Sequence, residues 1–463
     1  MKIFNTLNKT KEEFKPIEKN KIKMYVCGPT VYNYFHLGNA RPFLFFDVVR
    51  NYFKYKGFDV TYIQNITDID DKIIAKANDE NVDYKDITQK YIKAFFEDLK
   101  QLNIQKATLN PKATDYLPEM IALIQDLVNK GYAYESQGDV YFAVDKKKDY
   151  GKLSGKNLDD LQAGARIEAN TQKHNPFDFT LWKKAKAGEP FWESPWGNGR
   201  PGWHTECVVM SKKHLGQSFD IHGGGIDLIF PHHENELAQA EAIDDKPLAN
   251  FWLHNGFLNI EGDKMSKSLN NFFTARDVLK KYNADTIRFF FLSKHYRSPI
   301  DYNQEILEES RIAINRFYEV FKKLPVYKEN IINDHLSTDL TEIKNNFLAA
   351  MDDDFNTAKA IAYLFELSKI CFNQNTEESH NIQAANLLYE LGSVLGFFSK
   401  LKDELDNKID DKAEKLITLL IEIRSLAKKQ KNFEIADKIR NDLTQLNIEL
   451  RDTIEGTNWS LKK

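Results

Sequence analysis

Residues 21–27 form a short apolar run that breaks at Gly28, Pro29 and Thr30, the pattern of a buried strand. Beyond His36 the apolar positions Phe43, Phe46, Val49, Tyr52 and Phe53 recur mostly at three-residue steps, which predicts a helix. Residues 59–64 then read as a second strand. Strand, loop, helix, strand is the opening of a parallel nucleotide-binding sheet. Between residues 112 and 200 this pattern is interrupted by a helix over 119–130, a strand over 139–144 and a tract around Trp182, Trp192 and Trp196. From 303 to 400 the spacing is almost purely helical, with Ile314, Phe317, Val320, Phe321 and Leu324 on one face. The charged, poorly apolar stretch 400–412 predicts a linker. After it come helices near 414–426 and 436–443, and short strands over 448–451 and 458–461 on either side of Gly456.

Composition narrows the function classes. The chain has 463 residues, enough for two to four domains with ample core. No apolar stretch is long enough to span a bilayer, so no membrane role is expected. Three cysteines and no hydrophobic leader predict a reducing, cytoplasmic setting without a disulfide framework. A formal net charge of −4 lends nucleic-acid binding no bulk support, so an RNA partner would need local basic surface.

Two short motifs carry groups suited to a polyphosphate. His36-Leu37-Gly38-Asn39 lies at the predicted helix start, where unpaired N–H groups and partial positive charge favour an anion. Gly38, without a Cβ, lets the chain approach a ligand closely. Lys264-Met265-Ser266-Lys267-Ser268 lies among small polar residues that favour a loop. Two ammonium groups there would stabilise charge that grows on departing pyrophosphate, and an attacking carboxylate is already ionised at neutral pH. A third segment, residues 221–227, follows a strand and carries Gly223, Gly224, Gly225 and Asp227.

Cys27 ends the first strand and Cys207 precedes that glycine segment, so both fall near one end of the sheet. In Pro231-His232-His233-Glu234-Asn235-Glu236, Pro231 is placed to open a helix. His232 and Glu236, four apart, share a helix face, and His233 with Glu236 is also possible, so spacing does not choose between the histidines. Two thiolates, an imidazole and a carboxylate make a tetrahedral zinc set. Each of these residues also has a plainer reading alone: a surface histidine, a solvated lysine loop, a tight glycine turn, a small buried cysteine.

Taken together, the two phosphate motifs resemble the HIGH and KMSKS signatures of class I aminoacyl-tRNA synthetases, with Asn39 where the generic pattern has a second histidine. Residues 27–32, 65–72, 202–207, 230–236 and 351–357 resemble the signature blocks of the cysteinyl-tRNA synthetase family, in order along the chain. The resemblance implies an α/β fold: a Rossmann-type parallel-sheet catalytic domain with a connective insertion, an α-helical bundle and a small mixed α/β C-terminal module. The implied divisions are 1–111 and 201–302 for the catalytic halves and 112–200 for an insertion facing the tRNA acceptor end. A tRNA-binding helical domain over 303–400 and an anticodon-binding module over 401–463 would follow. It implies one Zn2+ on Cys27, Cys207, His232 and Glu236, and Mg2+ with ATP. His36, Gly38, Asn39, Lys264 and Lys267 would hold phosphates, Gly225 and Asp227 the adenosine, and Thr67, Trp203 and His222 the amino acid. The partners would be ATP, L-cysteine and tRNA(Cys), with the chain a monomer. Arg424, Lys428, Lys429 and Lys431, with no acid among them, and Trp459 are the candidate RNA contacts. The rivals are a ligase passing cysteine to an amino sugar, a zinc hydrolase and a non-catalytic relative. A hydrolase leaves the two-lysine loop without a purpose.

Overall fold

A computed structural model of the chain describes residues 1–157, 172–260, 263–264, 273–324, 336–401, 411–446, 448–453 and 456–461. By internal contacts it divides into two units, residues 1–399 and 400–463. The first opens on a hairpin, β1 (Lys2–Asn5) and β2 (Thr10–Glu13), then β3 (Lys21–Val26), α1 (Leu37–Tyr55) and β4 (Asp59–Gln64). Helices α2 (Asp71–Glu80), α3 (Tyr84–Gln101) and α4 (Leu117–Asn129) follow. Strands β5 (Ala133–Ser136), β6 (Asp139–Phe142), β7 (Phe179–Lys184) and β8 (Gly199–Pro201) form a separate antiparallel sheet. The chain then runs through α5 (Trp203–Leu215), β9 (Phe219–Gly225), α6 (Glu234–Asp244) and β10 (Ala249–Asn255).

The central sheet is parallel throughout, in the order β10-β9-β3-β4. From β3 the chain moves outward to β4, and on the other side β9 leads outward to β10. The carboxyl ends of β3 and β9 therefore border the switch point, where open α/β sheets take their ligands. α1 packs on one face, so closely that a Cβ on Gly223 would come 2.1 Å from the Phe46 ring. On the other face Tyr25, Ile63 and Trp252 join Ile124, Leu127, Val208 and Leu237 in one core.

Past the sheet come β11 (Leu258–Ile260), β12 (Asp263–Lys264), α7 (Ala275–Leu279), α8 (Ala284–Leu292) and β13 (Ile300–Tyr302). β11 pairs antiparallel with β12 and parallel with β13. Helices α9 (Gln304–Lys323), α10 (Thr338–Asp352), α11 (Thr357–Cys371) and α12 (Glu378–Val394) complete the first unit. The second holds α13 (Asp411–Lys429), α14 (Phe433–Gln445) and the hairpin β14 (Ile448–Thr453) with β15 (Gly456–Leu461). Its small core is Ile417, Leu443, Ile448 and Leu450.

The expected helix opening at Pro231 is present: Phe230 before it is extended (φ −137°, ψ 129°), residues 229–233 are wound as a π-helical turn, and α6 continues from Glu234.

Candidate metal and nucleotide site

The loop after β3 is shaped by Gly28. A Cβ there would lie 1.7 Å from the Asn65 carbonyl oxygen, so only glycine allows the loops after β3 and β4 to meet. The Gly28 N–H donates to Asn65 Oδ1 at 2.8 Å. α1 begins at His36, whose extended backbone and ring Nδ1 cap the helix by accepting the Asn39 N–H at 3.3 Å. In a neutral ring the proton then sits on Nε2. Pro42 lacks an N–H for the Gly38 carbonyl, yet the helix continues to Tyr55 on buried Phe43, Leu44, Phe46, Val49 and Phe53.

A cleft of about 520 Å³ lies over these elements, lined by Cys27, Gly28, His36, Gly38, Asn39, Lys72, Trp203, Gly225, Asp227 and Asn255 among others. A second cavity, of about 450 Å³, shares Trp203 and is lined by Lys173, Phe177, Lys183, Arg200, His204, Phe230 and Asn235. Lys264 lies on β12 opposite Asn259. Lys267 falls outside the described residues.

At the inner end of the cleft, four ligand atoms converge. Cys27 Sγ is 3.7 Å from Cys207 Sγ and 3.5 Å from Glu236 Oε1. His232 Nε2 is 3.6 Å from Cys207 Sγ and 2.9 Å from Glu236 Oε1. Tetrahedral zinc with bonds of about 2.0–2.3 Å separates its ligand atoms by roughly 3.3–3.8 Å; three of these four distances fall in that range, and His232 with Glu236, at 2.9 Å, is at hydrogen-bond distance instead. The far ring nitrogen of His232 is 2.9 Å from His204 Nδ1, the orienting contact expected behind a metal-bound imidazole. His232 lies on the π-helical turn that leads into α6, four residues before Glu236 on the same face.

A second grouping, Cys27, His222, His233 and Glu236, shares two of these residues. Its members are already engaged with one another. His222 Nε2 is 2.7 Å from Glu236 Oε2, and its ring stacks on Trp252 at 4.4 Å. His233 lies 3.2 Å from Cys27 Sγ through Nε2 and 2.8 Å from His254 through Nδ1, and His254 in turn reaches Thr6. With one thiol rather than two, this set is the poorer match to a soft cation.

Burial pushes the Cys27 thiol well above its ordinary range, helped by Cys207 and Glu236. Burial acts on Cys207 in the same direction, but hydrogen bonds with Cys27 and His232 outweigh it and bring that thiol to about 6. Burial would lower His232, yet Glu236 and Cys207 raise it to about 10. Burial also opposes the Glu236 charge, but His222 and His232 hold its carboxyl well below the usual range. The four groups thus act on one another: Cys207 and Glu236 favour the charged imidazole of His232, which in turn favours their negative charge. A divalent cation would displace the Cys27 and His232 protons.

The residues expected around an amino acid separate. Trp203 faces both cavities, 38% exposed, and stacks on His232 at 4.0 Å. Thr67 is buried and donates to Glu206 Oε2 at 2.8 Å. His222 lies behind Glu236, fully buried, with no hydrogen-bond partner for its Nδ1. Pattern reading did not single out His204, Glu206, His254 or Trp252. For His204 and Glu206 the local signal was their place in the 202–207 block beside Trp203 and Cys207; His254 and Trp252 carried none.

In the second unit, Arg424 departs from the expected RNA-facing position. Its side chain is 3% exposed and grips both Asp452 oxygens, at 2.8 and 2.9 Å. Lys428 pairs with the same carboxylate at 2.8 Å. The acid missing from the basic run arrives from β14. Lys429 and Lys431 are exposed, and Trp459 packs half-buried on the small core.

The parallel sheet, the capped His36 helix at its switch point and the glycine-lined cleft define a Rossmann-type nucleotide-binding domain. Solved structures share this fold. The Mycobacterium tuberculosis methionyl-tRNA synthetase in complex with methionyl-adenylate superposes with a TM-score of 0.57 at 14% identity, over 87% of this chain and 94% of that one. The Agrobacterium radiobacter K84 agnB2 LeuRS-tRNA-LeuAMS ternary complex gives 0.62 at 11% identity, over 85% and 86%. The family described as tRNA synthetases class I (C) catalytic domain matches residues 13–312, and the DALR domain matches 346–399. The cysteine–tRNA ligase of Carboxydothermus hydrogenoformans is 51% identical over 99% of each chain, and that of Clostridioides difficile is 48% identical over 99% of each. The chain belongs to the cysteine–tRNA ligase family and is an enzyme. Among the described residues no helix is long and apolar enough to cross a membrane.

Proposed function

We propose that the protein joins L-cysteine to tRNA(Cys) in two steps: ATP-dependent formation of cysteinyl-adenylate, then transfer to the terminal ribose. The observation that carries the reading is that Cys27 belongs to both sites. It lines the cleft beside the His36 helix start and contributes to the cluster with Cys207, His232 and Glu236.

In this reading Gly225 and Asp227 hold the adenosine. The α1 N-terminus, with His36, Gly38 and Asn39, binds the phosphates of Mg-ATP. Lys264 and Lys267 neutralise the departing pyrophosphate, whose charge is greater in the transition state than in the ground state. The cysteine carboxylate attacks the α-phosphorus, and no general base is required because that group is already ionised. Trp203 walls the amino-acid pocket. Thr67 and His222 act from behind it, through Glu206 and Glu236. A bound zinc ion would supply an affinity for thiolate sulfur that a serine hydroxyl cannot match. Shape alone separates such near-isosteres poorly. The second cavity, with aromatic walls and with Lys173 beside Lys183 and Arg200, which pair with Asp71, would receive the acceptor end from the 112–200 side. Residues 303–400 and 401–463 would carry the rest of the tRNA, with Lys428, Lys429, Lys431 and Trp459 as the contacts in the last segment. Arg424 acts there by holding Asp452.

The test is amino-acid-dependent ATP–pyrophosphate exchange with cysteine and serine, on zinc-replete and chelator-stripped protein. Zinc-dependent exchange with cysteine alone is expected, followed by charging of tRNA(Cys). Equal exchange with serine, or indifference to zinc, would overturn the selection mechanism. Absence of exchange by folded, zinc-loaded protein would overturn the catalytic reading.

A further inference from the structure

Arg41 lies five residues beyond the His36 cap and is 2% exposed. Among the described residues no carboxylate pairs with it. Its guanidinium instead donates to backbone carbonyls: NH1 to Gly256 and Phe257, both at 2.7 Å, and NH2 to Ser298 at 2.6 Å and His295 at 3.5 Å. Burial lowers its pKa only to about 10, so the group stays cationic at neutral pH. The two carbonyl-bearing segments meet beneath it because residue 256 is glycine. A Cβ there would lie 2.7 Å from the Arg297 and Ser298 oxygens.

These carbonyls stand at the root of β11, whose hairpin partner β12 carries Lys264. The chain leaves the His36 helix at this root and returns to it after the two-lysine segment. Leu37 N–H donates to the Phe273 carbonyl at 2.9 Å, and Ala275 N–H to that of Phe35 at 3.2 Å. The return is thus tied by backbone bonds, and the departure is tied by Arg41.

We propose that Arg41 is a positioning residue for adenylate formation, setting the root of the two-lysine segment relative to His36 and Asn39. The inference rests on the reading that both phosphate motifs act on ATP. A lysine at position 41 keeps the charge, but not the planar fork that spans several carbonyls.

Arg41→Lys is assayed for both half-reactions, with rates expressed per active site titrated by transfer from supplied cysteinyl-adenylate. Unfolded chains then drop out of the comparison. The kcat for cysteine-dependent exchange is expected to fall about 10- to 100-fold, the scale of a misplaced charge, with KM for cysteine nearly unchanged. Transfer from supplied adenylate to tRNA, which needs neither lysine, should keep its rate. In a Lys267→Ala background the same substitution should have a smaller effect, since one of the two lysines that it positions is gone. Exchange at the parental rate, equal loss in both half-reactions, or an undiminished effect in the Lys267→Ala background would each overturn the proposal. If the parent protein does not exchange with cysteine, the functional reading falls instead, a result visible before any variant is made.

Discussion

Cys27 and Cys207 stand 180 positions apart in sequence, yet their sulfurs lie 3.7 Å apart. Their residue types were legible as candidate metal ligands. Their meeting in one buried cluster was not, because it depends on how the strands are ordered across the sheet. The two overlapping donor sets differ in a way that substitution can read. Cys207→Ser and His232→Ala disrupt only the first set and should weaken zinc binding about 100-fold or more, measured by competition with a chromophoric chelator. His233→Ala disrupts only the second and should change affinity little. The reverse pattern would move the ion to the set with His222 and His233. Gly28 and Gly256 illustrate a different limit of pattern reading. Each is required by a backbone that approaches from elsewhere in the chain; Gly28 was legible as a strand breaker, but the Asn65 carbonyl that it must admit was not.

At the level of elements, periodicity located β4 at its observed bounds and α4 within two residues, since burial on one face imposes a repeat. It also placed Pro231 at the head of the helical segment: Phe230 before it is extended, and the π-helical turn over 229–233 leads into α6 and carries His232 to the cluster. In the second unit the basic run looked solvent-directed because its acid lies beyond it, on β14. Asp452→Asn should leave the buried Arg424 without its counter-charge and destabilise this unit by about 1–2 kcal/mol, read by urea unfolding. Arg424, Lys428 and Thr457 hold the Asp452 carboxyl far below the usual range. The contribution is therefore present above the unfolded aspartate pKa of about 3.9 and is lost as pH falls toward the folded value. The Asn variant should show a weaker acid-induced loss of stability.

At the scale of the first unit, Asp354 joins parts of the chain far apart in sequence. Fully buried, it accepts from the Phe4 N–H at 2.8 Å, the Tyr296 hydroxyl at 2.8 Å and Arg297 Nε at 2.9 Å. It thereby fastens the opening hairpin and the 295–298 segment to the loop between α10 and α11. Arg41 grips that same segment from the other side. Asp354→Asn should cost about 2–3 kcal/mol, since Arg297 and Tyr296 then face an amide. A lower urea midpoint with unchanged slope is the expected signature. The block 351–357 was recognisable in sequence as part of a family pattern, but its aspartates offered no hint of their partners.

The sequence by itself determined the kinds of element, their order and the residue types available for phosphate and metal chemistry, because these follow from local periodicity and side-chain identity. Only the tertiary structure decided which histidine meets Glu236 from which side and which glycine lies under a foreign backbone. It also decided which arginine is consumed by packing. Those outcomes depend on the order β10-β9-β3-β4 and on contacts across hundreds of residues, where no local repeat carries the information.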